Sequence, residues 1–201
     1  MKPPWLISLG IAFCGVMLMA EAAQPAEPGM DIDLTQWAPS DISGVGEDPF
    51  GTLAKYGYAL FTNTANEIGP TVPDPARRFA GNNLTCSNCH LQAGTQPYAM
   101  PLIGIWGQFP QYRAREGAVV TLEERINGCM ERSMNGRMLP LESREMKALL
   151  AYMRWLSTGI PDGAKLVGAG TLVIQEPARA ANPSRGAQVF SDVCAACHGT
   201  S

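Results

Sequence analysis

Three stretches of the chain repeat apolar residues at the spacing of an amphipathic helix. They are residues 50–65, 121–135 and 143–157, and each is long enough to form a helix with one buried face. The side chains predicted to be buried are Leu53, Tyr56, Leu60 and Phe61 in the first stretch, Leu122, Ile126, Met130 and Met134 in the second, and Met146, Leu149, Leu150, Met153 and Leu156 in the third.

The ends of these helices carry recognisable sequence signals. Thr121 and Glu124 form the Thr-x-x-Glu pattern of a capping box at the start of the second helix. Gly69-Pro70, Gly136 and Gly159 follow the three helices in turn, and glycine and proline commonly terminate helices. The three segments are therefore predicted to be separate helices.

Strand-like pattern is scarce. The first such run is Leu172-Val173-Ile174, inside the Gly- and Pro-rich segment 161–182, which we interpret as a linker with room for a short hairpin. Helical spacing returns at residues 184–193. The predicted fold class is all-α.

The N-terminus resembles an export signal. Lys2 supplies a positive charge, Leu6 to Met19 form a short apolar core, and Ala20-Glu21-Ala22 fits a cleavage site. Residues 1–22 are therefore predicted to be a signal peptide, and the mature protein to be periplasmic. A retained membrane anchor is the alternative, although the apolar core is short for a membrane span. Residues 23–49 are acidic and Pro-rich and are predicted to be an extension.

Composition excludes several classes of protein. Among 201 residues, 15 are Lys or Arg and 18 are Asp or Glu, which gives a net charge of −3. This balance argues against a nucleic-acid partner, which would require a basic surface. No later apolar run is long enough to span a membrane.

Cysteine and histidine are concentrated in two identical patterns. Residues 86–90 and 194–198 both read Cys-x-x-Cys-His, and together they contain both histidines of the chain and four of its six cysteines. Zinc would require four ligands in one place, and redox pairs or structural disulfides need no adjacent histidine. The pattern instead predicts covalently attached haem c. The thioether cysteines would be Cys86, Cys89, Cys194 and Cys197, and the iron ligands His90 and His198.

The second iron ligand of the first haem is left open by the spacing. With both histidines assigned, the candidates are a cysteine, a methionine, a lysine or water. Cys129 is the one remaining cysteine outside the signal peptide, and Met138 is the alternative. Arg125 and Ser133 lie four residues to either side of Cys129, on the same helical face. These groups and Arg115, just before the helix, could form a pocket for an anion beside the thiol.

Little sequence follows the second motif. Only Gly199, Thr200 and Ser201 come after His198, which is too few to cover the other face of a second haem. We therefore expect a first haem domain at residues 50–160 and the truncated start of a second cytochrome c domain at residues 183–201, with an incomplete second haem site.

Several segments resemble the thiosulfate dehydrogenases, a family of exported dihaem cytochromes c that join two thiosulfates into tetrathionate. The resemblance covers roughly residues 45–201. It is carried by Asn82 to Leu91 (NNLTCSNCHL), Arg115, Arg125 to Gly136 (RINGCMERSMNG), Leu139-Pro140-Leu141 and Gly168 to Thr171.

This resemblance implies a class I cytochrome c-like domain and assigns roles to particular residues. It makes His90 and Cys129 the two iron ligands of the first haem, and it places Arg115, Arg125 and Ser133 around bound thiosulfate. His198 would bind the second iron. The family's other ligand there has no counterpart before the chain ends. A soluble cytochrome or similar protein would accept the electrons.

Other functions remain open at this point. One is a plain electron carrier in which His90 and Met138 bind the iron and no substrate pocket exists. Another is the reverse reaction, reduction of tetrathionate at the same site. A third is that the truncated chain is inactive.

Overall fold

The computed structural model of the protein describes residues 31–37 and 41–195. The predicted signal peptide, Cys197 and His198 lie outside these residues. Helix accounts for 45% of the structure and sheet for little of it, in agreement with the predicted predominance of helix. No helix in the described ranges has the length and apolar character needed to cross a membrane.

The first predicted helix is divided in two. Helix α1 spans Pro49–Thr62 and begins after Asp48, whose carboxylate accepts a hydrogen bond from the backbone N–H of Gly51 at 2.9 Å. Helix α2 spans Thr64–Ile68. Asn63 separates them with a non-helical backbone (φ −138°, ψ 34°). This break was not visible in the hydrophobic pattern, because apolar residues continue through it.

A single turn, α3 (Leu91–Gly94), directly follows His90. Gln92 and Ala93 within it have positive φ angles of 50° and 56°, so the turn is not a regular helix. The hydroxyl of Tyr152 donates a hydrogen bond to the Ala93 carbonyl at 2.7 Å and so connects this turn to the helix that carries Tyr152. Burial raises the pKa of Tyr152.

Helix α4 (Leu122–Arg132) begins at the predicted capping box. The Thr121 hydroxyl accepts a hydrogen bond from the Glu124 backbone at 3.3 Å, and the Glu124 carboxylate accepts one from the Thr121 backbone at 2.7 Å. The helix ends before Ser133, and Asn135 has a left-handed backbone with φ 47°. The predicted apolar face is confirmed as buried: Leu122, Ile126, Met130 and Met134.

Helix α5 (Arg144–Leu156) agrees with its prediction to within one residue at each end. The Ser143 hydroxyl caps it by accepting a hydrogen bond from the Met146 backbone at 3.1 Å. Its predicted buried residues are confirmed, with Leu150 only partly buried. Gly159, with φ 80°, follows the helix in the left-handed conformation that glycine adopts readily.

The core forms where α1 crosses α5. Gly57 of α1 allows the close approach, because a Cβ atom there would lie 2.0 Å from the carbonyl oxygen of Ala148 on α5. Leu60, Phe61 and Tyr152 are almost fully buried at this crossing. The α1–α5 pair thus supplies one rigid wall for the segment that contains Cys86, Cys89 and His90.

Four short strands correct the expectation that strand begins only at residue 172. Strand β1 (Asp31–Asp33) pairs in parallel with β4 (Lys165–Val167), and β2 (Gln111–Arg113) pairs antiparallel with β3 (Ala118–Val120). Each strand has three residues, which is too short for an alternating pattern to be recognised.

The run Leu172-Val173-Ile174 forms no strand, and its side chains are 65%, 84% and 88% exposed. The predicted linker 161–182 instead contains β4, and the predicted extension 23–49 contains β1. Leu34, just after β1, is 1% exposed. Parts of both segments therefore pack on the helical domain.

Helix α6 spans Pro183–Val189 and continues into a π-helical turn at Phe190–Cys194. The Asn182 side chain caps α6 by accepting a hydrogen bond from the Arg185 backbone at 3.0 Å. The helix predicted at residues 184–193 is thereby confirmed. Its apolar residues Val189, Phe190 and Val193 are 43–74% exposed.

Candidate haem and anion site

The first Cys-x-x-Cys-His motif folds as a tight turn. Cys86–Asn88 form one turn of 3₁₀-helix, and the backbone N–H groups of Cys89 and His90 both donate to the Cys86 carbonyl, at 3.2 and 3.0 Å. The Asn88 side chain accepts a hydrogen bond from the Thr85 backbone at 2.6 Å. This turn brings both thiols and the imidazole into one small region, as attachment to a single porphyrin requires.

Cys86 is held against the break between α1 and α2. Its backbone N–H donates to the Thr64 hydroxyl at 3.2 Å, and its sulfur lies 3.5 Å from the same oxygen. Burial raises the pKa of the Cys86 thiol. Cys86, Cys89, Cys129 and Cys194 all have free thiols, so none of the cysteines in the described part of the chain is joined in a disulfide.

The His90 ring is oriented by one hydrogen bond. Its Nδ1 atom lies 2.6 Å from the Met100 carbonyl oxygen, which can only accept, so Nδ1 carries the proton and Nε2 is left for a metal. Burial lowers the pKa of His90, and the positive charge of Arg125 acts in the same direction. Both effects favour the neutral imidazole that binds iron.

A cavity of about 360 Å³ lies against this motif. It joins the Cys86–His90 turn to α4, and most of its wall is apolar. Its sulfur-containing, imidazole and guanidinium lining residues are Cys86, Cys89, His90, Met100, Arg113, Arg125, Cys129, Met130, Met134 and Met153. The structure therefore brings His90 and Cys129 to one cavity, as the resemblance implied.

Cys129 is paired with a guanidinium group on its own helix. Arg125 lies one helical turn earlier on α4, and its Nη1 atom donates a hydrogen bond to the Cys129 sulfur at 2.8 Å. A charged donor of this kind stabilises negative charge on sulfur. The pairing predicted from the four-residue spacing is present.

Ser133 also lines the cavity, at the end of α4. Its backbone N–H donates to the Cys129 carbonyl at 2.8 Å, and its own carbonyl accepts a hydrogen bond from the Asn82 side chain at 3.0 Å. These contacts fix Ser133 one turn beyond Cys129, in the wall of the same cavity as Arg125 and Cys129.

Arg115 lies apart from the other predicted site residues. It is exposed in the turn between β2 and β3 and is not among the residues that line the cavity. Arg113, two residues earlier, lines it instead. The Nε atom of Arg113 lies 3.3 Å from the Glu116 carboxylate, which also pairs with Arg132 at 3.4 Å.

The pairing with two arginines orders Glu116 and, through it, Arg113. Desolvation opposes ionisation of Glu116, but Arg113 and Arg132 outweigh it and lower the pKa of this carboxyl. Arg113 was missed because the β2 segment is three residues long. No sequence signal identifies it, because the polar Gln111 and Arg113 are half-buried while the aromatic Tyr112 is exposed.

Met138 is also placed away from the cavity. Its side chain is 57% exposed, and it lines a separate surface depression beside α4. The methionines that do line the cavity are Met100, Met130, Met134 and Met153. Ligation of the first haem by Met138 would therefore require a rearrangement of the Gly136–Pro140 segment.

The second motif is described only in part. Cys194 ends the π-helical turn and is half-buried, whereas Cys197 and His198 lie outside the described residues. A second haem site consequently stays a prediction.

The residues of the first motif fit a haem. Two neighbouring thiols, one oriented neutral imidazole and a largely apolar cavity are the groups that covalent attachment and axial ligation need. No group of three or more His, Cys, Asp or Glu side chains in the part of the chain that the structure describes is arranged to hold a metal ion directly.

Comparison with known proteins identifies the domain. The family described as "SoxA/TsdA, cytochrome c domain" matches residues 77–161. The thiosulfate dehydrogenase of Psychrobacter arcticus is 36% identical over 159 residues, which cover 79% of this chain and 46% of that protein. The thiosulfate dehydrogenase of Allochromatium vinosum is 34% identical over 201 residues, covering 97% and 65%.

A solved structure agrees. The thiosulfate dehydrogenase TsdBA of Marichromatium purpuratum, in its "as isolated" form, superposes with a TM-score of 0.68 at 33% identity, covering 81% of this chain and 35% of that one. The chain spans between 46% and 65% of the length of the curated relatives described above. By sequence and by fold, this cytochrome c chain belongs to the thiosulfate dehydrogenase family.

Proposed function

We propose that this chain is a haem c oxidoreductase that oxidises two thiosulfate ions to one tetrathionate ion. The observation that carries the proposal is the Arg125–Cys129 pair in the cavity of the first Cys-x-x-Cys-His motif, with 2.8 Å between the guanidinium and the sulfur. A plain electron carrier has no need for a thiol and fixed positive charge beside its haem.

Positive charge at this site serves to bring two dianions together. Arg125 and Arg113 both line the cavity, and arginine keeps its charge at every physiological pH. Guanidinium groups also match the oxygens of a sulfonate with paired hydrogen bonds. The Ser133 hydroxyl adds a neutral donor near Cys129. The preorganised charge lowers the repulsion that otherwise opposes the reaction.

The covalent step forms and breaks sulfur–sulfur bonds at Cys129. In the first stage the Cys129 thiolate and the outer sulfur of one thiosulfate form an S–S bond, giving Cys–S–S–SO₃⁻ with loss of two electrons. The outer sulfur of the second thiosulfate then attacks the adduct sulfur that lies between Cys129 Sγ and the sulfonate. The bond to Sγ breaks, which releases tetrathionate and regenerates the thiolate. Haem c held by Cys86, Cys89 and His90 would supply a one-electron acceptor, so the two electrons would be transferred one after the other.

His90 and Cys129 would bind the iron of the first haem, and His198 that of a second haem held by Cys194 and Cys197. This function would require a first haem domain at residues 50–160, which β1 and β4 extend. A second domain would begin near residue 183. Export of the chain, followed by removal of residues 1–22, would place the protein in the periplasm. A soluble cytochrome or similar acceptor there would take the electrons.

The decisive experiment compares two sulfur side chains near α4. Cys129→Gly in the haem-loaded protein is expected to lower thiosulfate-dependent reduction of an artificial acceptor by at least about 10³-fold, as loss of a covalent nucleophile typically does, while haem stays attached. Met138→Ala, outside the cavity, is the matched control and is expected to retain activity. Tetrathionate formation at an undiminished rate by Cys129→Gly would disprove the mechanism.

The electron carrier is the second candidate, because buried Met130, Met134 and Met153 line the cavity. Thioether ligation of the ferric haem produces a weak far-red charge-transfer band that thiolate ligation lacks. Observation of that band in the unsubstituted protein, together with absence of thiosulfate oxidation, would establish the electron carrier in place of the enzyme.

A further inference from the structure

The loop between His90 and Met100 is held in an unusual backbone conformation. Four of its non-glycine residues have left-handed backbones, with φ of 50° at Gln92, 56° at Ala93, 61° at Tyr98 and 53° at Met100. Residues other than glycine rarely adopt this region, and such conformations persist only where surrounding contacts hold them. The loop ends at the Met100 carbonyl, which orients the His90 ring at 2.6 Å.

Tyr152 of α5 holds the first half of this loop through the Ala93 carbonyl, and one short segment beyond α5 holds the second half. The Tyr98 backbone N–H donates to the Gly168 carbonyl, and the Met100 backbone N–H donates to the Gly170 carbonyl, both at 2.7 Å. Ala99 forms an antiparallel bridge with Thr171. We refer to residues 168–171 as the strap.

The strap is itself fixed to the body of the domain. It follows β4 directly, and β4 pairs with β1 along its whole length. Gly168 has φ +93°, and a Cβ atom there would lie 3.3 Å from Cβ of Pro97 and 3.4 Å from Cβ of Leu34. Ala169 and Gly170 also line the haem cavity. The strap therefore touches both the loop and the cavity.

We infer that the strap is the positioning element for the His90 imidazole: its hydrogen bonds to Tyr98 and Met100 keep the Met100 carbonyl on Nδ1. A hydrogen bond at Nδ1 fixes the ring orientation and increases electron donation from Nε2 to a bound metal. Because the chain continues from the strap to Cys194, the strap also links the ligand of the first haem to the segment that carries the second motif. The inference rests on ligation of haem by His90, which is part of the proposed function, but not on thiosulfate chemistry.

Two glycines with nearly the same backbone give a matched pair of variants. Gly170 in the strap has φ +76°, Gly163 before β4 has φ +75°, and neither would bring a Cβ atom within 4 Å of another group. Gly170→Ala and Gly163→Ala therefore impose similar backbone strain, and only the first acts on the strap.

In the haem-loaded protein, Gly170→Ala is expected to weaken the Nδ1 hydrogen bond and shift the reduction potential of the first haem to a more positive value. The reason is that less electron donation from His90 destabilises the ferric state. Gly163→Ala is expected to leave the potential unchanged. If the two variants have the same reduction potential while His90 is still bound to iron, the inference about the strap is wrong and the proposed function is unaffected.

A measurement on the unsubstituted protein decides the question even where Gly170→Ala does not fold. Hydrogen exchange in the reduced haem-loaded protein reports how often each hydrogen bond opens. We expect the Tyr98 and Met100 amides and the His90 Nδ1 proton to exchange at a common slow rate. Rapid exchange of both amides beside a protected Nδ1 proton would overturn the inference. Absence of His90 ligation in the haem spectrum would overturn the proposed function and the inference together.

Discussion

Two arginines reach the cavity from different elements and are held in different ways. Arg125 on α4 donates directly to the Cys129 sulfur at 2.8 Å. Arg113 on β2 is held by Glu116, which Arg132 also contacts. Arg125 is therefore committed to the thiol, whereas Arg113 keeps several guanidinium N–H donors for an incoming anion. Under the proposed function, Arg125 would stabilise charge on sulfur and Arg113 would bind substrate.

Removal of the Arg113 charge is expected to weaken substrate binding. Arg113→Gln should lower kcat/KM for thiosulfate by about 10- to 100-fold, the loss of one charge-assisted hydrogen bond, mainly through a higher KM. Initial rates over a range of thiosulfate concentrations measure this effect.

The controls for that measurement are two other arginines. Arg179→Gln removes the same charge from an exposed position and is expected to change little. Arg115→Gln is expected to have a smaller effect than Arg113→Gln, since Arg115 lies outside the cavity lining. A larger effect for Arg115 than for Arg113 would contradict the placement of these two side chains.

The side chains of the site could be predicted from sequence only where regular spacing applied. The Cys-x-x-Cys-His turn and the pairing of Arg125 with Cys129 follow from local geometry, because residues four apart on a helix are neighbours. The Met100 carbonyl that orients His90 belongs to an irregular loop, and no side-chain pattern marks it. Arg113 and Arg115 are two residues apart in a turn region, so their orientation depended on the strand pairing.

Helix α4 carries Arg125 and Cys129 and is held at its first turn and at its middle. Its capping box fixes the first turn. The buried side chain of Asn127 fastens the middle, since its amide donates to the Leu139 carbonyl at 3.0 Å and accepts from the Leu139 backbone N–H at 2.8 Å. Asn127 is 6% exposed. These contacts hold the face of α4 that presents Arg125 and Cys129.

Loss of the Asn127 side chain is expected to be costly. Asn127→Ala leaves a buried N–H and a buried C=O of Leu139 without partners and should lower the free energy of unfolding by about 2–4 kcal/mol. Denaturant unfolding of the haem-loaded protein measures this. Asn66→Ala is the control, because Asn66 is exposed and bonds only to the neighbouring Asn63 side chain. Equal stability of the two variants would show that the Asn127 contacts contribute nothing.

Elements with strong local signals were predictable and short ones were not. The cap at Thr121 lies where the sequence indicates, because capping depends on residues within one turn, and α5 begins within one residue of its predicted start. The break at Asn63 and the four three-residue strands depend on distant partners. Strand β1, for example, exists only because β4 lies beside it.

The N-terminal end of the described chain and the β4 segment beyond α5 meet on the helical domain. The Leu34 backbone N–H donates to the Val167 carbonyl at 2.9 Å, and the Leu34 side chain is 1% exposed. The sequence indicated a loose extension and a linker for these segments, because neither has a periodic apolar pattern. The buried Leu34 side chain and the parallel β1–β4 pair hold both segments in place. No local sequence pattern predicts a contact between residues so far apart.

One substitution measures how much the contact between the N-terminal segment and β4 contributes to stability. Leu34→Ala is expected to lower the free energy of unfolding by about 2–4 kcal/mol, the usual loss for a fully buried leucine. Leu141→Ala serves as the control, since its side chain is 59% exposed. Thermal unfolding of the haem-loaded variants distinguishes them. An unchanged melting temperature for Leu34→Ala would mean that the N-terminal segment does not stabilise the domain.

The proposed function requires that the cavity shared by His90, Arg125 and Cys129 oxidises thiosulfate. The oxidised, haem-loaded chain is mixed with thiosulfate alone, and haem reduction and tetrathionate formation are followed together. We expect thiosulfate to reduce the haem, with one tetrathionate formed for every two electrons transferred. A haem that thiosulfate leaves oxidised, but that a small artificial reductant reduces normally, would disprove the proposed function.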